Sequence, residues 1–132
     1  MTDSFEGGVT VTVPADTRYI KTIRLAVSGV ASLGSFSIDA IDDMKVAVDE
    51  MCSTLLEVGD GSALSISVST PRRDTLRIVG HVPVGEGSPV DEARAELSTR
   101  ILDVMTDDHG FGVTDGTASF WCERSVDPAD AE

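Results

Sequence analysis

The sequence predicts a two-layer α+β fold, in which three helices cover one face of a mostly antiparallel sheet. Three observations predict it. Apolar residues recur at helical spacing in three segments and alternate in several others. The segments run in the order strand, helix, helix, two strands, helix, two strands. Both pairs of neighbouring strands are separated by short segments with turn chemistry.

Residues 8–14 (GVTVTVP) alternate Val9, Val11 and Val13 with threonines, which predicts a strand with one buried face ended by Pro14. From Asp16 to about Leu33, Ile20, Ile23, Val27 and Val30 recur at helical spacing, with Asp16 or Thr17 as the cap. Arg18, Lys21 and Arg24 fall largely on another face and form a basic stripe. Residues 37–58 predict a second helix with an apolar stripe of Ile41, Met44, Val48, Met51 and Leu55, ended by the Gly-Asp-Gly at 59–61.

Leu64, Ile66 and Val68, then Leu76 and Ile78, alternate on either side of Pro71-Arg72-Arg73-Asp74 and predict a hairpin. A glycine-containing loop at 80–89 is expected next, followed by a capping box in which Ser88 is the cap, Pro89 the first helical residue and Asp91 the acid three positions on. The third helix should run to about Asp108 and bury Ala93, Leu97, Ile101 and Val104 or Met105. Residues 111–113 and 118–123 flank Asp115-Gly116, a hairpin turn signal, so the last strand carries the single tryptophan, Trp121.

A chain of 132 residues with 41% hydrophobic residues is enough for one core, so a single domain over 1–132 is expected, with 1–7 and 125–132 disordered. No apolar run approaches the roughly 20 residues that span a bilayer, and the acidic start lacks the apolar core of a secretory signal, so a cytoplasmic location is expected. The net charge of −13 argues against direct binding of nucleic acid or anionic membrane. Cys52 and Cys122 lack the spacing of a metal site and read as buried thiols. No metal site is expected. His81 and His109 have no ligand or nucleophile at a telling spacing and read as strand-end or loop residues.

The segment VAVDEMCSTLLEV, residues 46–58, places three carboxylates, a thiol and two hydroxyls in an apolar helix. Glu50 and Thr54 stand one helical turn apart and share a face. With VPADTRYIKTIRLAVSGVAS and IDDMKVAVDEMCSTLL, about 45 residues of the chain resemble the RsbW-like anti-sigma factors, serine-protein kinases of the GHKL or histidine-kinase-like ATPase fold. The resemblance implies that Glu50 occupies the place of a general base. It also puts Thr54 where the family carries an asparagine that ligates magnesium on ATP. Arg24 matches a first-helix arginine that meets partner proteins in the family, so it is expected on a partner surface and outside any internal ion pair.

The chain departs from the family at three places. Threonine replaces the asparagine, VGHVPVGEGSP lacks the adenine-reading Asp-x-Gly with Glu86-Gly87 as the nearest relic, and AELSTR at 95–100 has no glycine to cradle phosphate. The expected cofactor state is therefore none, with ATP and magnesium bound only where the degenerate site still works. The function this implies is an anti-sigma factor that sequesters an alternative sigma factor of the stress or development type. It would act as a homodimer and be released by a STAS-type anti-anti-sigma protein. The alternative is an active ATP-dependent kinase that phosphorylates that protein on serine.

Overall fold

A computed structural model describes residues 7–85 and 92–125. Its elements are β1 (Gly7–Pro14), a 3-10 turn (Thr17–Tyr19), α1 (Ile20–Ala31), α2 (Ile38–Val58), β2 (Ala63–Arg72), β3 (Thr75–Pro83), α3 (Glu92–Met105), β4 (Asp108–Thr114) and β5 (Thr117–Ser125). The strands form one sheet in the order β1-β2-β3-β5-β4, and every neighbouring pair is antiparallel. All three helices sit on one face, as the sequence predicts.

Local chemistry explains the element ends. Asp16 caps the 3-10 turn by accepting from the Arg18 amide at 2.9 Å, and Ser37 caps α2 by accepting from the Ala40 amide at 3.1 Å. Asp115 and Gly116 have φ of 51° and 75°, the two positive values that a two-residue hairpin needs. The α2 stripe lies where its periodicity puts it. Met44, Val48, Met51 and Leu55 are fully buried against the sheet, with Ile41 at the margin. Each such side chain contributes about 1.5–3 kcal/mol on burial.

Four boundaries and one face differ from expectation. Gly7 and Ser125 are not disordered, because they continue the ladder opposite Thr70 and Thr75. The strand β3 runs through Gly80 to Pro83, so the loop starts later than its glycine suggests. Gly80 is there for packing: a Cβ would meet Leu55 Cδ1 at 2.5 Å and Ile66 Cδ1 at 2.8 Å. The third helix ends at Met105 and is turned from the expected face, with Leu97 52% and Val104 75% exposed. Ser98 and Leu102 are the buried residues instead, and Ile101 and Met105 lie partly buried beside them. The capping box at Ser88, Pro89 and Asp91, the Glu86-Gly87 pair, the side chain of Ala93 and the remaining terminal residues lie outside the described residues.

Candidate functional site

The expected site residues lie on α1 and α2. Glu50 and Thr54 project from the same face of α2, and that face is covered by α3. Ser98 of α3 sits between them. Its Oγ donates to Glu50 Oε1 at 2.7 Å and lies 2.8 Å from Thr54 Oγ1. Thr54 is 3% and Ser98 1% exposed, whereas Glu50 is only partly buried. The expected shared face is present, but Thr54 is neither a surface residue nor bonded to its own helix.

The turn of α3 follows from this contact. A hydroxyl at position 98 can meet Thr54 and Glu50, whereas Leu97 in that place would leave the buried Thr54 hydroxyl without its bond. The far end of the same helix is held by Arg124 of β5. Its Nη1 donates to the Met105 carbonyl at 2.9 Å, closing the helix C-terminus, and to Asp43 Oδ2 of α2 at 2.8 Å. Sequence reading missed both Ser98 and Arg124. Neither carries a motif, and their partners are 44 and 81 residues away.

Arg24 stands on α1 facing α2. Its Nε and Nη2 each donate to one Asp49 carboxylate oxygen at 2.6 Å, a two-pronged ion pair with 43% of the arginine side chain still exposed. The expectation of an arginine outside any internal ion pair is thereby corrected. A planar guanidinium one helix away from a carboxylate finds it, and the pair raises the arginine pKa further above its usual value, chiefly through those hydrogen bonds. Arg24 also borders a groove of about 270 Å³ between the helices, lined by Lys21, Leu25, Ser28 and Lys45. Leu25 is 72% exposed there.

The remaining candidates settle into the fold. Cys52 and Cys122 are free, buried thiols, each pushed up to about 12 by burial. His81 Nδ1 lies 2.9 Å from Ser119 Oγ, and His109 Nε2 lies 2.7 Å from Asp103 Oδ1. Among the described residues no group of three or more His, Cys, Asp or Glu could hold a metal ion. No described helix is long and apolar enough to cross a membrane.

No protein-family model matches the chain. It is 37% identical over 57 residues to proteins named serine-protein kinase RsbW from Bacillus cereus strain AH187 and Bacillus thuringiensis strain Al Hakam. The RsbW of Bacillus anthracis strain CDC 684 matches over the same number of residues at the same identity, 57 and 37%. Each match covers 43% of this chain and 35% of the relative.

Proposed function

We propose that the chain is an anti-sigma factor that works by binding alone: it sequesters an alternative sigma factor of the stress or development type without using nucleotide. A STAS-type anti-anti-sigma protein competes for it and releases the sigma factor, the binding unit is a homodimer, and the location is cytoplasmic. The likeness to the RsbW kinases supports the family setting. The acidic balance of −13 suits capture of basic regions of a sigma factor.

The observation that carries the absence of nucleotide is the burial of Thr54 beneath Ser98. Magnesium needs several open oxygen ligands in near-octahedral array. Here the threonine hydroxyl is enclosed at 3% exposure, and Glu50 accepts a hydrogen bond from the serine that encloses it. The segment 79–89 supplies no Asp-x-Gly for adenine, the Asp108-His109-Gly110 run being part of strand β4, and residues 95–100 supply no glycine-rich turn for phosphate. These residues do not fit a magnesium-nucleotide group.

Arg24 is the residue assigned to the partner surface. Its ion pair fixes the guanidinium direction, and the exposed remainder with Leu25 gives a partner a charged and an apolar contact side by side. The alternative reading, a working serine kinase, is favoured by the name of the relatives, serine-protein kinase, and by the retention of Glu50. Glu50 would then take a proton from a serine hydroxyl brought within hydrogen-bond reach.

The test is retention of a purified alternative sigma factor on the immobilised chain in buffer free of nucleotide, followed by elution with its STAS-type antagonist. Retention without ATP and release by the antagonist are expected. Retention that appears only with magnesium-ATP would hand the case to the kinase, and no retention under either condition would end the anti-sigma reading.

A further inference from the structure

The turn of α3 that brings Ser98 inward leaves apolar residues of the same helix in water. Leu97, Ile101 and Val104 stand at i, i+4 and i+7 and form one stripe, in which Leu97 and Val104 are the exposed members. Single exposed apolar side chains are ordinary on a surface, but a row of three along one helix is a patch. The stripe lies on the α2 side of α3. Asp103 points the other way, where its carboxylate meets His109 of β4 at 2.7 Å, and the buried Ser98 and Leu102 separate the two sides. The two helices run antiparallel, since Ser98 meets Glu50 and Thr54 while Arg124 joins the Met105 carbonyl to Asp43.

The row of α2 that flanks this stripe is acidic. Asp39, Asp43, Val46, Glu50 and Glu57 recur at i, i+4, i+7, i+11 and i+18, on the side of the helix away from the buried Met44, Val48, Met51 and Leu55. Val46 is its one apolar member and is exposed, and no lysine or arginine stands in the row. The cations of the helical layer collect elsewhere, with Lys21, Arg24 and Lys45 lining the groove between α1 and α2. Arg100 of α3 stands four residues from Glu96, the spacing at which opposite charges offset each other. The helical layer thus has two outer faces of opposite character: a basic groove on the α1 side, and on the α3 side an apolar stripe beside a row of carboxylates.

We propose that the outer α2–α3 face docks an amphipathic helix of a partner protein, one with an apolar seam and basic residues on its flanks. A row at i, i+4 and i+7 is the spacing that an incoming helix matches, because its own side chains recur at the same interval and pack between those of α3. The neighbouring carboxylates select lysine and arginine on that helix. The same carboxylates, in a chain of net charge −13, reject an acidic helix. They also reject a second copy, since a symmetric contact through this face would set one acidic row against another. From Leu97 to Val104 the stripe spans about 10 Å, two turns of a helix, so the contact belongs to the small and transient class. This surface is separate from the Arg24 groove and does not depend on capture of a sigma factor.

The test titrates the full chain into a fluorescein-labelled synthetic helix of about 16 residues, with leucines along one face and lysines on both flanks. Anisotropy should give a dissociation constant of about 10–100 μM at low salt, weakening as salt screens the charges. Leu97→Asp with Val104→Asp should weaken binding at least about tenfold, and Asp39→Lys about threefold. These side chains are exposed, so the variants should melt as the wild type does. In amide spectra of the chain the peptide should shift Val46, Leu97, Ile101 and Val104, and Leu25→Asp in the basic groove should leave the affinity unchanged. No binding below about 1 mM would overturn the proposal. So would equal binding of a scrambled peptide of the same composition, tighter binding of a version with glutamates for lysines, or shifts centred on Lys21 and Leu25. Self-association of the chain that Leu97→Asp with Val104→Asp abolishes would put a second copy on the stripe and overturn it as well.

Discussion

The hydroxyl oxygen of Thr54 lies 2.8 Å from that of Ser98, inside the contact between α2 and α3. In the function proposed above, that bond takes up the hydroxyl that a magnesium ligand would have to offer. Titration with magnesium-ATP should show no binding below about 1 mM, since several missing contacts at 1–3 kcal/mol each move a micromolar site past that limit. Thr54→Asn alone should not restore it, because the larger amide must displace Ser98 before it can face a ligand. Isothermal titration decides both, and a micromolar heat signal for the wild type would overturn the reading.

Arg24 and Asp49 hold each other with two bonds of 2.6 Å, so the two residues must be tested together. Arg24→Glu alone sets two carboxylates face to face and changes the α1–α2 contact as well as the surface. The swap Arg24→Glu with Asp49→Arg restores an ion pair while reversing the charge a partner meets. Its melting temperature should stay close to wild type, and capture of the sigma factor should fall at least about tenfold, the effect of losing roughly 1.4 kcal/mol. Unchanged capture by the swapped variant would place the interface elsewhere.

Val48 is fully buried in the α2 stripe. Val48→Asp should cost about 5 kcal/mol or more, a large part of the stability of a small domain, because the carboxylate has no partner there. Circular dichroism should show a largely unfolded chain at 37 °C, whereas Val46→Asp, two positions earlier at a site 44% exposed, should melt as the wild type does.

Cys52 and Cys122 have thiols pushed up to about 12 by burial, against an ordinary 9.0. Below pH 9 both states hold the proton and the thiols do not affect the pH dependence. As pH rises from 9 toward 12 the unfolded chain releases the proton first, so stability falls by about 1.4 kcal/mol per pH unit for each thiol. Denaturant titrations should show this extra slope, and Cys52→Ala with Cys122→Ala should remove it. At pH 8 the folded chain should resist iodoacetamide, and guanidinium should expose both thiols to it.

Of the candidate residues, the sequence placed Glu50 and Thr54 on one helical face because a helix repeats its faces every turn, a property of the local chain. What covers that face was not legible. In α3 the apolar pattern offers Ala93, Leu97, Ile101 and Val104 or Met105 as the buried stripe, and nothing in it marks Ser98 and Leu102 as the inward residues. Only the opposing Glu50 and Thr54 make that serine the inward one. Arg24 was legible as a cation on an exposed face, but its tie to Asp49 joins residues 25 positions apart on two helices, and spacing within one helix carries no information about that.

The sequence by itself determined the elements, their order, the two hairpins and the inward stripe of α2. These depend on backbone sterics, turn residues and apolar periodicity, all acting within a few residues. Tertiary structure alone decided which way α3 is turned, that Thr54 is enclosed, and that Arg24 is already paired. Each of those depends on groups from distant segments meeting in space, where burying an unpartnered polar group costs more than exposing a leucine.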